Sequence, residues 1–285
     1  MRQLAPYALI YLLAIACAAG VASQSQAADP PLPVQIGYLG YRPDPGPLLS
    51  NVIGEPTDAG LRGAELAITD SNSTGRFLKH AYSLSSAQHG DSASLLEAAS
   101  ELHAQGLRLF VVNAPAETLR QLSLRLDDSL LLNAGSRDDS LRQSECLPNV
   151  LHTLPSRAML ADALAQFLTV RKWQRWLLIS GPTEDDQAYA AALKRAAKRF
   201  GHQIVAEKPW SFDNDQRRSA QAEMPLFTQT AEYDVVLVAD ERGDFGEYLP
   251  YNTWYPRPVA GTQGLTPTAW HKTVETFGAA QLQKR

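Results

Sequence analysis

Two residue pairs carry most of the chemistry legible in this sequence: Ser136-Arg137 and Asp240-Glu241. Each follows an apolar run of strand type, SLLLNAG and YDVVLVA. A hydroxyl, the backbone amides beside it and a guanidinium can hold a carboxylate or another anion. The alternative for that pair is a capped loop with a solvated arginine. Two carboxylates leaving a buried strand can take an ammonium group or a cation, and the alternative is a solvated turn. The spacing within ADERGDFGEY is not that of a calcium loop, which requires several ordered oxygen ligands. Tyr38 and Tyr41 after the first apolar run, and Asn113 after the third, occupy the same kind of position. The run YLPYNTWYPRP holds Tyr248, Tyr251, Trp254 and Tyr255. It either walls a pocket or packs under an irregular, proline-rich loop. The candidate ligand-binding residues are Tyr38, Tyr41, Asn113, Ser136, Arg137, Asp240, Glu241 and Tyr251.

Catalytic signatures are missing. The chain has no GxSxG elbow, no HExxH, no Walker loop and no GxGxxG after a strand. Its histidines at 80, 89, 103, 152, 202 and 271 fall at no metal-ligand spacing. His152 alone stands near the expected hinge, where a structural role is the expectation. Cys146 has no histidine-rich motif beside it, so it reads as a small buried apolar residue rather than a nucleophile. These features point away from an enzyme and imply neither a cofactor nor a metal.

The elements that position these residues alternate between strand and helix. A first strand spans 34–40 and is followed by a loop rich in proline and glycine. The spacing predicts a helix from Thr57 or Asp58 to about Asp70, a strand over 77–84 and a helix over 92–105 stopped by Gly106. The run at 107–114 is apolar almost throughout, as expected of a strand covered on both faces. Another strand is expected over 129–136. Ser156 is a good N-cap for an amphipathic helix with Leu160, Leu164, Phe167 and Leu168 on its buried face. RWLLIS is a buried strand, and the helix from Glu184 carries acids at its start, bases at its end and Gly201 after it. Strands over 202–210 and 233–240 follow, with a helix over 218–229 interrupted near Pro225. Residues 258–265 read as a strand and turn leading back toward the first unit. Such alternation implies parallel sheets with right-handed crossovers, whose ligands bind beyond the strands' carboxyl ends.

Length and composition set the frame. At 285 residues the chain can hold two α/β domains. Thirty acidic against 26 basic residues give a net charge of −4, which is no footprint for nucleic acid. Arg2 precedes an uncharged run to Ala28, with an apolar heart over 7–19 and small residues at Ser25 and Ala27. This pattern predicts a secretory signal peptide over 1–27 and a periplasmic protein. The alternatives are an uncleaved anchor and a lipid anchor on Cys17.

An exported leader and two α/β units joined through NVLHTLPSRAML resemble a type I periplasmic binding protein of the branched-chain amino acid class. The blocks IGYLGYR, RWLLISGP, AEKPWSFDNDQRRSAQAEMPLFTQ, YDVVLVADERGDFGEYLPY and RPVAGTQGLTPTAWH are similar to the substrate-binding-protein-like component of PQQ-dependent alcohol dehydrogenase systems. The resemblance implies a two-lobed fold with lobes over 28–150 and 151–257 and a return segment over 258–285. It also implies that the family runs on past the position of Arg285, so the fold is expected to be C-terminally shortened. A small molecule between the lobes, an ABC transporter permease, and a quinoprotein dehydrogenase or cytochrome are the partners it implies. Its amino-acid-binding members carry hydroxyl-rich loops where this chain reads NAPAE and NAGSRDD. The rival expectation is therefore an accessory protein that binds a protein partner and no small ligand.

Overall fold

The structure, a computed structural model, describes residues 30–44, 56–210, 216–250 and 252–262. The expected leader, Tyr251 and most of the return segment lie outside them. Five strands form one sheet: β1 (Leu32–Tyr41), β2 (His80–His89), β3 (Leu109–Asn113), β4 (Leu130–Asn133) and β5 (Val150–His152), in the order β2-β1-β3-β4-β5. Four more form a second sheet: β6 (Arg175–Ser180), β7 (Gln203–Pro209), β8 (Val235–Ala239) and β9 (Val259–Gly261), in the order β7-β6-β8-β9. Every pairing is parallel. The helices are α1 (Leu61–Leu78), α2 (Ser92–Ala104), α3 (Ala116–Arg125), α4 (Arg157–Arg171), α5 (Glu184–Phe200) and α6 (Gln216–Thr228). The α/β architecture with two parallel sheets is the one expected.

Each lobe builds its own core. In the first, Phe110, Val112 and Leu131 are buried with Leu95 and Ala99 of α2 and Leu119 and Leu122 of α3. In the second, alternate residues of β6 and β8 feed opposite faces. Trp176, Leu178, Val235 and Leu237 pack under α4 and α5, while Leu177, Ile179, Val236 and Val238 pack against Met224, Tyr233 and Phe245. A parallel strand covered on both sides reads as an unbroken apolar run, and β8 does so with every residue buried. In β3, Phe110 and Val112 are buried, whereas Leu109 and Val111 are half-buried, so that strand is fully covered on one face only.

Several elements depart from the sequence expectation, each for a physical reason. Helix α1 runs eight residues past Asp70 and β2 starts later than expected. Asn72 fixes this by gripping the Tyr82 backbone in both directions, donating to its carbonyl at 2.9 Å and accepting from its amide at 2.8 Å. Gly75 lets the helix come this close, since a Cβ there would stand 2.8 Å from the His80 carbonyl oxygen. On α4 the buried face is Ala158, Ala161, Ala165 and Leu168; of the expected leucine–phenylalanine stripe only Leu168 is fully buried, Leu160 and Leu164 are half-buried against the core and Phe167 is 55% exposed. Alanines on α4 meet Ala192 and Ala196 of α5, and small side chains allow two helices to approach closely. Cys146 is exposed, not buried, because it lies in the turn before β5 rather than on a strand. The run expected to lead back to the first lobe first completes the second sheet: Val236 pairs with Val259 and Val238 with Gly261.

The crossing between lobes is short and tied down. Ser156 caps α4 by accepting from the Met159 amide, as its sequence position predicts. The other free amides of that helix end are taken by the first lobe. Arg157 N–H donates to the Arg137 carbonyl at 3.0 Å and Ala158 N–H to Asp139 Oδ1 at 2.9 Å. Arg142 also bonds the Leu154 carbonyl. The loop after β4 thus serves as a seat for the start of α4.

Candidate functional site

A cleft of about 340 Å³ opens where the carboxyl ends of β1, β3, β4 and β8 meet the N-termini of α3, α4 and α5. Tyr41, Asn113, Ser136 and Arg137 line it from the first lobe, and Arg157, Asp185 and Glu241 from the second. Five of the eight sequence-predicted residues therefore face one cavity: Tyr41, Asn113, Ser136, Arg137 and Glu241. Tyr38 does not line it. Its ring is buried and its hydroxyl accepts from Asn113 Nδ2 at 3.2 Å, so it positions Asn113 instead. Tyr251 lies outside the described residues.

The first-lobe wall is organised by Asn133, which is fully buried at the end of β4. Its Oδ1 accepts from the amides of Gly135 at 3.2 Å and Ser136 at 2.9 Å, and its Nδ2 donates to the Ser136 carbonyl at 2.8 Å. This closes the loop into a tight turn at the strand's carboxyl end. Gly135 is required there by close approach, since a Cβ would stand 2.5 Å from the Ala114 amide nitrogen. The Ser136 hydroxyl accepts from the Asp138 amide at 3.3 Å, and Ser136 as a whole is buried. Asp138 in turn accepts from the Ser140 amide at 2.9 Å.

The second-lobe wall hangs on Asp186. The capping box of α5 has Thr183 and Asp186 satisfying each other's amides. The remaining oxygen, Asp186 Oδ1, accepts from the Glu241 amide at 2.6 Å. That bond ties the loop after β8 to the start of α5 and sets where Glu241 projects. Asp240 points the other way. Its carboxylate accepts from the amides of Asp244 at 2.8 Å, Phe245 at 2.9 Å and Gly246 at 2.6 Å. Sequence placed this carboxylate at the cleft; the structure uses it on its own loop, where the amides of buried Phe245 and Gly246 would otherwise lack an acceptor.

Charge converges on Glu241. Its Oε2 stands 3.8 Å from Arg137 Nη1 and its Oε1 stands 3.8 Å from Arg157 Nε. Arg157 also pairs with Asp185 through Nη2. Burial pushes the Glu241 carboxyl above its ordinary range, against the pull of Arg157 and Arg137. The same carboxylate adds to burial in raising the phenol of Tyr189. Burial likewise raises Asp240, opposed by the three amides it accepts from.

Sequence reasoning missed Arg157, Asp185, Asn133 and Asp186. One signal was present for Arg157. A cation in the first turn of a helix opposes the macrodipole, and such a mismatch marks a residue held for another reason. Asn133 carried no signal, since its role depends on the loop folding back onto it.

Two parallel α/β lobes with a charged cleft between them define a two-lobed binding protein. The chain belongs to the periplasmic binding protein family, whose model matches residues 33–245. That family implies a periplasmic location. No curated protein matches the chain by sequence. Among solved structures of similar fold is an ABC transporter substrate-binding protein from Desulfitobacterium hafniense in complex with leucine (14% identity, 89% of this chain and 76% of that one, TM-score 0.58). A branched-chain amino acid transporter substrate-binding protein from Streptococcus pneumoniae, in complex with isoleucine, shares 11% identity over 82% of this chain and 65% of its own, with a TM-score of 0.56. A solute-binding protein from R. palustris in complex with benzoate shares 14% identity over 82% of this chain and 62% of its own, with a TM-score of 0.54. This chain thus spans less than two thirds of the length of the last two. All three are substrate- or solute-binding proteins.

Proposed function

We propose that this protein is an exported solute-binding protein that holds a small molecule in its interlobe cleft and presents it to the permease of an ABC transporter. The observation that carries this is the cleft itself: strand ends of both sheets and three helix N-termini converge there, with Arg157 and Glu241 almost buried in its wall. Open parallel sheets bind ligands at these positions. Export rests on the leader pattern of residues 1–27. The resemblance of several sequence blocks to the substrate-binding-protein-like component of PQQ-dependent alcohol dehydrogenase systems supports a place in alcohol oxidation, beside a quinoprotein dehydrogenase or cytochrome. No step requires a cofactor or metal: closure of the lobes is the mechanism, and ATP acts elsewhere.

A second reading, a periplasmic accessory protein with no small ligand, is favoured by one observation. Ser136, the hydroxyl expected at the ligand, is buried and engaged by the Asp138 amide. Thermal unfolding of the protein recovered from the periplasm, with and without a panel of small acids and amino acids, separates the two. A solute at a hundred times its dissociation constant adds about 2.7 kcal/mol. Stabilisation by any of them supports solute binding, and its absence across the panel, with co-purification of a dehydrogenase or cytochrome, supports the accessory reading.

A further inference from the structure

Resting on that solute-binding reading, we infer that the ligand is a small organic acid without an ammonium group, and that its carboxylate takes the place between Arg137 and Arg157 that Glu241 holds in this structure. Two guanidinium groups face one carboxylate here, each at 3.8 Å. That distance is an ion pair but too long for a hydrogen bond. Arg157 is 9% exposed, and its buried Nε–H has no hydrogen-bond acceptor. A buried donor on a charged group left in this state is costly and demands an acceptor. Arg157 also stands in the first turn of α4, where the macrodipole disfavours a cation. Asp185 takes one of its terminal nitrogens, which leaves the buried Nε facing only Glu241 Oε1, at 3.8 Å.

An ammonium group fits this arrangement poorly. Three carboxylates line the cleft and each is already engaged: Glu241 has a guanidinium on each side, Asp185 pairs with Arg157, and Asp138 accepts from the Ser140 amide with Arg120 at 3.9 Å, so an ammonium group beside Glu241 would meet two like charges at short range. An anion meets the reverse. It can approach both guanidinium groups and the N-terminus of α3, where Pro115 and Ala116 line the cleft. Glu241 yields its place by side-chain rotation, because its anchor is its backbone amide on Asp186 Oδ1, not its carboxylate. In this structure Glu241 therefore acts as an internal surrogate for the ligand's acid group. The cavity is of a size for a small ligand.

The test uses the full protein as recovered from the periplasm and calorimetric titration with matched probes. Isocaproate, succinate and hydrocinnamate are set against leucine, aspartate and phenylalanine, each pair differing by one amino group. At least one acid is expected to bind, with its amino partner weaker by about tenfold or more, the scale of a buried like-charge contact. Glu241→Gln is expected to bind that acid as tightly as the wild type or more tightly. Arg157→Gln loses about tenfold or more, as for an acid deprived of a buried charge partner. Arg157→Lys, which keeps the charge, retains part of the affinity and guards against a folding defect. Tighter binding of the amino acid, together with loss of binding in Glu241→Gln, would assign Glu241 to an ammonium group and overturn the inference while leaving solute binding intact. No binding of any probe at millimolar concentration would count against the solute-binding reading itself, and the inference would fall with it.

Discussion

Asn133 Nδ2 donates a hydrogen bond to His152 Nδ1 at 2.9 Å, joining the end of β4 to the end of β5 beside the crossing. Since Asn133 offers a proton there, Nδ1 must accept, and the imidazole carries its proton on Nε2. A bond to the Leu141 backbone engages the ring further. The neutral ring is the form this site holds: burial and the nearby Arg142 push His152 below its ordinary value.

That shift has a defined consequence for stability. A histidine whose folded value is depressed contributes stability that is complete above its unfolded value of 6.5 and is lost as pH falls toward the folded value. In that window the unfolded chain binds a proton that the folded chain refuses. Urea unfolding between neutrality and mild acid is expected to show a steeper loss in the wild type than in His152→Gln, which has nothing to titrate. Equal slopes would mean that the ring is protonated without cost.

Glu241 behaves in the opposite sense. Its folded value is raised by burial, so the wild type gains relative stability as pH falls through that raised value toward 4.5 and loses it as pH rises. Glu241→Gln removes the titration. The stability of the variant minus that of the wild type is therefore expected to increase with pH across this window. A difference independent of pH would show that the two arginines already offset the cost of burying the carboxylate.

Much of the second lobe was legible in sequence, because its signals are local. Acids, bases and Gly201 delimit α5, and RWLLIS and VVLVA are strands by composition alone. The site was legible as positions rather than roles. Strand carboxyl ends could be located, and Tyr41, Asn113, Ser136, Arg137 and Glu241 do converge. What could not be read was orientation. Asp240 and Glu241 are adjacent, yet one turns into its own loop and the other into the cleft. Which turns where depends on amides of residues 244–246 and on Asp186, far off in sequence. The extension of α1 was hidden for the same reason, since a side chain gripping a distant backbone outweighs local propensity.

The capping box of α5 gives a prediction of fixed size. Thr183 Oγ1 accepts from the Asp186 amide at 3.1 Å, and the Thr183 amide donates to Asp186 Oδ2 at 3.1 Å. Thr183→Ala is expected to cost about 1 kcal/mol, the usual value for a lost N-cap. Asp186→Ala is expected to cost more, because it also abandons the Glu241 amide and releases the loop that carries the cleft carboxylate. Chemical denaturation of both variants tests the order, and equal costs would mean that the Glu241 tether is worth nothing.

Asp240 offers the sharpest separation between scaffold and site. Its carboxylate is fully buried and accepts from three backbone amides, while its own amide donates to Thr262 Oγ1 at 2.9 Å. Asp240→Ala leaves three donors without an acceptor, and one buried unsatisfied group costs about 1–3 kcal/mol. Partial relaxation and water entry soften the sum, so a loss of about 2–4 kcal/mol is expected, within the range for a broken buried network. Asp240→Asn can keep the Phe245 and Gly246 amides on its carbonyl oxygen but turns its NH₂ toward the Asp244 amide, itself a donor, so it should recover only part of that loss. Any effect on solute affinity should be indirect, through the neighbouring Glu241, and smaller than that of Arg157→Gln. A variant with unchanged stability and abolished affinity would move Asp240 from the loop to the ligand, and the orientation argued for it would be wrong.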